Sequence, residues 1–368
     1  MFEHITLDII LLLMLYAVGA TVSAVACVYL LLRRGNAFTR RISTPKRLRR
    51  WTAAFFGILT AGHLWYLPGT MMADGDAAAL WMLIGALLDC MLTMPLALVV
   101  MLCMLQDRKR PLWIAWLITA PLIILSAVSV GMRSYALVQW MQGYFLLMAV
   151  GFTAYMVRQV RQYGRWLRDN YADLEHKEVW QSLLGLLCLI LAFATYIVNL
   201  GSQFMEYLVQ VETLFIVGFL TWRVDTIQQL SVGDEEFGPV RCAAGSQGLT
   251  SGGEDDTLIR SRLQEYCETT KLYLQHDLSL AQLSQAVGVD RADLSRYFAR
   301  QGFTYNAYIN RLRIDHFALL YREAVARQRP VTAQQLAFQC GFSSYSTFGV
   351  AFKQFMGQTA KSWMNNVQ

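Results

Sequence analysis

Uncharged stretches near 20 residues recur along the chain up to about Arg223 and then stop. A helix crossing a hydrocarbon core of about 30 Å needs about 20 apolar residues. Seven stretches approach or exceed that: 7–32, 51–69, 78–105, 112–131, 135–157, 182–200 and 207–224. Only a short turn at Asn199, Gly201, Ser202 and Gln203 separates the last two, so one broken helix is the alternative there. From Asp225 to Asp256 the composition shifts to Gly, Ser and acidic residues, seven acids facing the single base Arg241. No apolar periodicity survives in it, which marks a mobile linker. As flexible coil, about 30 residues reach about 30 Å. Beyond residue 257 apolar residues return at helical spacing in short segments cut by turns. The pattern predicts an all-α chain: a seven-helix transmembrane bundle over 1–224, a flexible acidic linker over 225–256 and a small helical domain over 257–368.

Composition agrees with two solvents in one chain. With 55% hydrophobic and 16% charged residues, the 368-residue sequence is too apolar for an ordinary soluble protein. Short cytoplasmic loops carry an excess of Lys and Arg, and here the bias is lopsided. The segment after the first stretch holds eight (Arg33, Arg34, Arg40, Arg41, Lys46, Arg47, Arg49, Arg50), and the one after the third holds Arg108, Lys109 and Arg110. The segment after the fifth holds Arg158, Arg161, Arg165, Arg168 and Lys177, whereas the opposite segments contain only Arg133. This predicts the N-terminus outside, the C-terminal domain in the cytoplasm and a multi-pass protein of the cytoplasmic membrane. Met1 to Ile10 has no basic n-region, and the apolar run behind it is longer than a signal-peptide core, so it is retained as a span.

Several chemistries are absent from the pattern. The seven cysteines form no CxxC pair and have no His at metal-ligand spacing, so they read as reduced structural thiols, with no metal and no cofactor implied. No HExxH, GxSxG or P-loop occurs and no paired intramembrane acids are found, so the chain does not read as an enzyme.

Ionisable groups within apolar spans are costly and mark candidate sites. Asp89, mid-way along the third stretch, is a candidate for contact with a sensed ligand or for an interhelical bond that fixes packing. His63, followed by Trp65, Tyr66 and Pro68, is a second ligand-sensing candidate, although an interfacial aromatic belt accounts for the same residues. Glu206 and Glu212 near the last stretch face an external ligand or solvent. Ala53, Gly57 and Ala61 make a small-residue stripe that permits close helix contact and offers one route to a homodimer. Pro95 and Pro121 lie inside spans, where they kink helices.

The C-terminal region holds 13 Lys and Arg against seven acids, a balance suited to phosphate. Its caps and turns are more specific. Ser279 to Gln282 forms a capping box opening a helix with apolar Leu280, Leu283 and Val287; Gly288 supplies a turn, and Asp290 caps a second helix. About 53 residues later the grammar repeats: Thr332 to Gln335, Leu336 and Cys340, the turn at Gly341, then Ser343 as cap. One residue is added after the second turn, so Leu294 corresponds to Phe348 and Phe298 to Phe352, and these phenylalanines are expected in the core. Between the units, Tyr308, Ile309, Leu312, Phe317 and Leu320 outline a long linking helix.

At YINRLRI (Tyr308 to Ile314) with Ala318, Leu319 and Leu320, and at CGFSSYSTFGVAFKQFMG (Cys340 to Gly357), the sequence resembles the AraC/XylS family of transcription regulators over about 100 residues. The resemblance implies a double helix-turn-helix (homeodomain-like) domain whose second helices enter successive major-groove segments. It also implies double-stranded promoter DNA and RNA polymerase as partners and, commonly, activation. Base readers lie on the exposed face of the second helix, near its N-terminal half. The candidates are Arg296 with Arg291, Ala292 and Ser295 in the first unit, and Ser344, Tyr345, Ser346 and Thr347 in the second, with Lys353 on phosphate. The sequence departs from the family where Val350 replaces a frequent Arg, Ala299 a frequent Lys and Ala360 a usual proline, which puts hydrogen-bonded readout by the second unit in doubt.

Three functions are compatible with this arrangement. One is a regulator whose bundle senses a small molecule or membrane state. The second is a transporter carrying a regulatory DNA-binding domain, and the third a passive membrane anchor that sequesters the regulator.

Overall fold

A computed structural model describes residues 7–33, 44–71, 75–174, 177, 181, 185, 203–230 and 254–367. These residues are helical, apart from turns and one isolated β-bridge. The chain divides into two compact units, one of Met1–Gln162 with Val179–Val232 and the other of Tyr163–Glu178 with Gly233–Gln368.

The first unit contains α1 (Leu7–Leu32), α2 (Lys46–Met71), α3 (Gly75–Cys103), α4 (Trp113–Met132), most of α5 (Val138–Asn170) and α6 (Gln203–Thr226). Five of these fall within the length and apolarity needed to cross a membrane: Ile10–Leu32, Gly75–Cys103, Trp113–Met132, Val138–Asn170 and Tyr207–Thr226. Among the described residues, five of the predicted seven are therefore found. α2 opens on Lys46, Arg47, Arg49 and Arg50 and is not among the five, while most of 182–200 and residues 201 and 202 lie outside the described residues. Large apolar side chains such as Met14, Val25, Leu31, Leu117, Ile124, Leu146 and Leu147 face outward along α1, α4 and α5.

Two proline positions have different consequences. α4 runs unbroken through Pro121. In α3 the turn before Pro95 widens to a π-helical turn over Asp89–Thr93, with the Met94 N–H reaching the Asp89 carbonyl five residues back. Pro95 has no N–H to give and its ring crowds the preceding turn, and a π turn is a common relief of that crowding. The small-residue stripe of α2 is occupied within the chain: Ala53 is buried, and a Cβ on Gly57 would meet the Cys27 sulfur of α1 at 3.6 Å.

α5 extends 13 residues past the predicted end at 157, turning an expected basic loop into helix. Arg158, Arg161, Arg165 and Arg168 then recur at steps of three and four residues, one helical stripe. The helix enters the second unit at Tyr163, and Ala172 beyond it lies in that unit's core.

The rest of the second unit runs α7 (Glu254–Leu263), α8 (Leu280–Val287), α9 (Arg291–Arg300), α10 (Tyr305–Ala326), α11 (Ala333–Gln339), α12 (Tyr345–Met356) and α13 (Ala360–Val367). Glu254, Asp255 and Asp256, the last acids of the expected linker, form the first turn of α7, where the helix dipole favours negative charge. Residues 231–253 lie outside the described residues. Two cores form, one around Leu283, Leu294, Phe298 and Ile309 and the other around Phe317, Leu336, Phe348 and Phe352. α10 contributes to both, which is the role expected of a linking helix.

Candidate nucleic-acid interface

Each half of the C-terminal unit builds a helix-turn-helix from local signals. In the first, the Gln282 N–H donates to Ser279 Oγ and the Ser279 N–H donates to Gln282 Oε1, a reciprocal capping box that starts α8. Gly288 ends α8 at φ +68°, a left-handed position natural for glycine. Asp290 Oδ1 then accepts the Ala292 N–H at 2.7 Å and starts α9. Leu294, Tyr297 and Phe298 point into the core. The opposite face presents Ala292, Arg296 and Ala299 to solvent at steps of four and three.

The second half repeats this. Thr332 and Gln335 cap α11 reciprocally, each bond 3.2 Å long. The cap of α12 is Ser344 rather than the expected Ser343: Ser344 Oγ accepts the Thr347 N–H at 3.2 Å and the helix begins at Tyr345. The extra residue after Gly341 displaces the cap by one, which two adjacent serines leave ambiguous in sequence. Ser344 thus serves the helix end, and Thr347 is half-buried against it. Phe348, Ala351 and Phe352 face the core, leaving Ser346, Val350 and Lys353 exposed.

These two faces are equivalent position by position. Taking Leu294 with Phe348 pairs Ala292 with Ser346, Arg296 with Val350, and Ala299 with Lys353. Each face thus carries one cation, Arg296 midway along the first and Lys353 one turn further along the second. The remaining candidates fall around these stripes. Ser295 is half-buried, and Tyr345 is exposed at the start of α12 with its ring against Phe348. Arg296 forms an ion pair with Asp293 one turn earlier in α9. Arg291, at the first position of α9, donates to Asn170 Oδ1 at 2.6 Å.

Sequence reasoning missed the contacts that lock the two halves together. Arg313 lies inside YINRLRI, between the apolar positions of the linking helix. It is fully buried, donating from Nε to the Tyr273 carbonyl and from Nη2 to the Gln275 carbonyl, both at 2.7 Å. Its guanidinium lies 5.5 Å from the Phe342 ring centre, so one side chain ties the turn before α8, the linking helix and the second unit. Burial lowers its pKa, and the Asp173 carboxylate pulls the other way. Gly341, at φ +88°, brings its Cα so close to the Leu274 carbonyl that a Cβ would lie 2.5 Å from that oxygen. The Gly341 carbonyl in turn lies 3.1 Å from His276 Nδ1. The signal available in sequence was the one arginine in phase with Ile309 and Phe317 on the apolar side of α10.

The ligand-sensing candidates lie in the first unit. Asp89 accepts from Tyr66 Oη at 2.6 Å and from Thr93 Oγ1 at 2.8 Å, the latter within the π turn. Tyr66 reaches it by crossing Gly85, whose missing side chain leaves room for the ring. His63 is buried rather than part of an aromatic belt: Nε2 meets Gln210 Oε1 of α6 at 3.0 Å, and its ring packs edge-on to Tyr16 of α1. A hydropathy window averages Gln210 into an apolar run, so this partner is invisible to it. Glu212 is half-buried, and the side chain of Glu206 lies outside the described residues.

Comparison with known proteins agrees with the geometry of the second unit. A family model described as "Helix-turn-helix domain" matches residues 283–366. An uncharacterized HTH-type transcriptional regulator of Staphylococcus aureus (strain MRSA252) is 33% identical over 105 residues, 28% of this chain and 13% of its own. Its counterpart in strain COL is 32% identical over the same length and shares. A Photobacterium leiognathi protein named "Probable transcriptional regulator LumQ" is 35% identical over 88 residues, 24% of this chain and 34% of its own. The chain thus spans about an eighth of the staphylococcal relatives and a third of the Photobacterium one. No solved structure matches the chain. The C-terminal region of this chain thus carries a helix-turn-helix domain, similar over residues 283–366 to those of transcriptional regulators.

Proposed function

We propose that the protein is a membrane-embedded, sequence-specific DNA-binding transcription regulator, with the helical bundle passing a signal to the C-terminal domain. The observation that carries the reading is the pair of equivalent exposed faces, Ala292–Arg296–Ala299 and Ser346–Val350–Lys353, fixed on one unit by Arg313. Two such faces suit successive major-groove segments of one duplex face. Arg296 reads guanine there, while Lys353 holds phosphate and Val350 packs on a thymine methyl. The outward leucines, valines and methionines of α1, α4 and α5 support the membrane assignment, because a surface of that extent calls for hydrocarbon rather than water. The basic stripe of α5 suits anionic headgroups at the cytoplasmic face. The polar contacts of Asp89 and His63 form the bundle's candidate sensing region.

Two measurements test this together. Protease protection of sealed inner-membrane vesicles should place the C-terminal domain in the cytoplasm. The reconstituted chain should enrich a motif from random duplexes with two specified blocks about one helical turn apart. A C-terminal domain on the outer face, or recovery of duplexes without any common motif, would refute the reading.

A further inference from the structure

The segment that follows α5 is docked on the first helix-turn-helix. The Ala172 N–H donates to the Leu278 carbonyl at 3.2 Å, and Tyr171 forms an isolated antiparallel bridge with Ser279, the cap of α8. Asn306 Nδ2 holds the Tyr171 and Ala172 carbonyls from α10, at 3.2 and 2.6 Å. Lys177, itself buried, donates to the exposed Asp277 at 2.9 Å. Ala172 is fully buried in the first core. This is a strap of backbone and polar contacts made by residues 100 to 135 positions from their partners.

Its position is informative. The strap touches the N-terminus of α8 through Ser279 and the first residue of α9 through the Asn170–Arg291 bond. In helix-turn-helix docking the recognition helix presents its N-terminal residues to the bases while the preceding helix crosses the sugar-phosphate backbone. The strap therefore sits on the edge turned to DNA. Asn170 satisfies a guanidinium that a phosphate oxygen would otherwise take.

We propose that Asn170 to Leu174, with Lys177, form an autoinhibitory latch: docked, the strap occupies the DNA-facing edge of the first helix-turn-helix, and duplex binding requires it to leave. This rests on the DNA-binding reading above. The latch is continuous with α5, whose earlier residues belong to the bundle unit, so the bundle has a covalent path to the latch that bypasses 231–253. The docked contacts are modest: several neutral hydrogen bonds, one charge-assisted bond from Arg291 to Asn170 and one half-solvated ion pair. A change in the bundle that favours the undocked strap about tenfold suffices to shift such an equilibrium.

The test uses the full chain in detergent micelles and a random-sequence duplex of about 40 bp, long enough for two groove segments. Tyr171→Cys with Ser279→Cys places two thiols across the observed bridge, where cross-strand pairs fall within disulfide reach. Oxidation locks the strap, and fluorescence anisotropy should then show binding at least about tenfold weaker than after reduction of the same sample. As an independent variant, Asn170→Ala with Lys177→Ala should bind more tightly than the unaltered chain, with Cys267 still unreactive to maleimide as evidence that the first core is intact. Equal binding by oxidised and reduced protein overturns the latch and leaves DNA binding standing. Failure of the disulfide to form, with both thiols titrating, also overturns it. Absence of binding by every form, including the release variant, sinks the DNA-binding reading itself.

Discussion

Arg313→Met tests whether one buried guanidinium holds the two helix-turn-helix units together. Methionine fills most of the volume but supplies no donor. Each lost charge-assisted hydrogen bond contributes about 1.5–3 kcal/mol, and two are lost, to the carbonyls of Tyr273 and Gln275. Gln275 is exposed and its carbonyl regains water, whereas buried Tyr273 does not. Removing a buried charge also relieves desolvation, which offsets part of the loss. The net expected destabilisation is about 2–4 kcal/mol, and Arg313→Ala costs more because it adds a cavity. Cys340 provides the readout within the full chain. It is fully buried in the second core, and burial pushes its thiol pKa up to about 12, so it reacts only when that core opens. Maleimide labelling of Cys340, resolved by peptide mass, should accelerate about 30- to 700-fold in Arg313→Met at about 1.4 kcal/mol per decade. Arg322→Met, an exposed change on the same helix, should leave the rate within about twofold. Acceleration of Arg313→Met no greater than that of Arg322→Met would refute the argument.

Further outcomes follow from the two faces and their turns. Arg296→Ala should cost about 1–3 kcal/mol on a selected duplex and relax preference at one position, whereas Lys353→Ala should weaken all duplexes alike and lower the salt slope by about one; equal losses on selected and random DNA for Arg296→Ala would contradict base reading. Asp293→Asn removes the exposed carboxylate that pairs Arg296, and since such pairs contribute under about 1 kcal/mol, duplex affinity by anisotropy should rise by no more than about fivefold; a fall would indicate that Asp293 itself orients Arg296 for DNA. Gly341→Ala meets both a positive φ and the Leu274 carbonyl, while Gly302→Ala, at φ +77° with open space, meets only the first. The second should cost about 1–2 kcal/mol and the first clearly more, read as Cys340 labelling for Gly341 and Cys267 labelling for Gly302; equal acceleration would show that the close approach to Leu274 is not resisted.

What the sequence made legible is what short-range physics writes. Capping boxes at Ser279 and Thr332, turn glycines at Gly288 and Gly341, and the apolar phase of Leu294, Phe298, Phe348 and Phe352 depend on neighbours within a few residues, and the structure places all of them as expected. The same locality explains the slip from Ser343 to Ser344, since either hydroxyl satisfies the pattern and only the added residue decides. Contacts that cross the chain were not legible. Gln210 opposite His63 and Tyr66 opposite Asp89 turn isolated polar residues of apolar helices into paired ones, and no window on one helix contains both partners. The strap is the extreme case: Tyr171 and Ala172 are held through their backbone, which every sequence shares, so no residue type announces the docking. Its consequence is larger than its size. A domain joined to its sensor only through a coil would receive no torque and would respond to a signal by release or association alone. A domain into which a continuous helix also runs, from Val138 to Asn170, has a second route, one in which movement of α5 bears directly on Arg291 through Asn170.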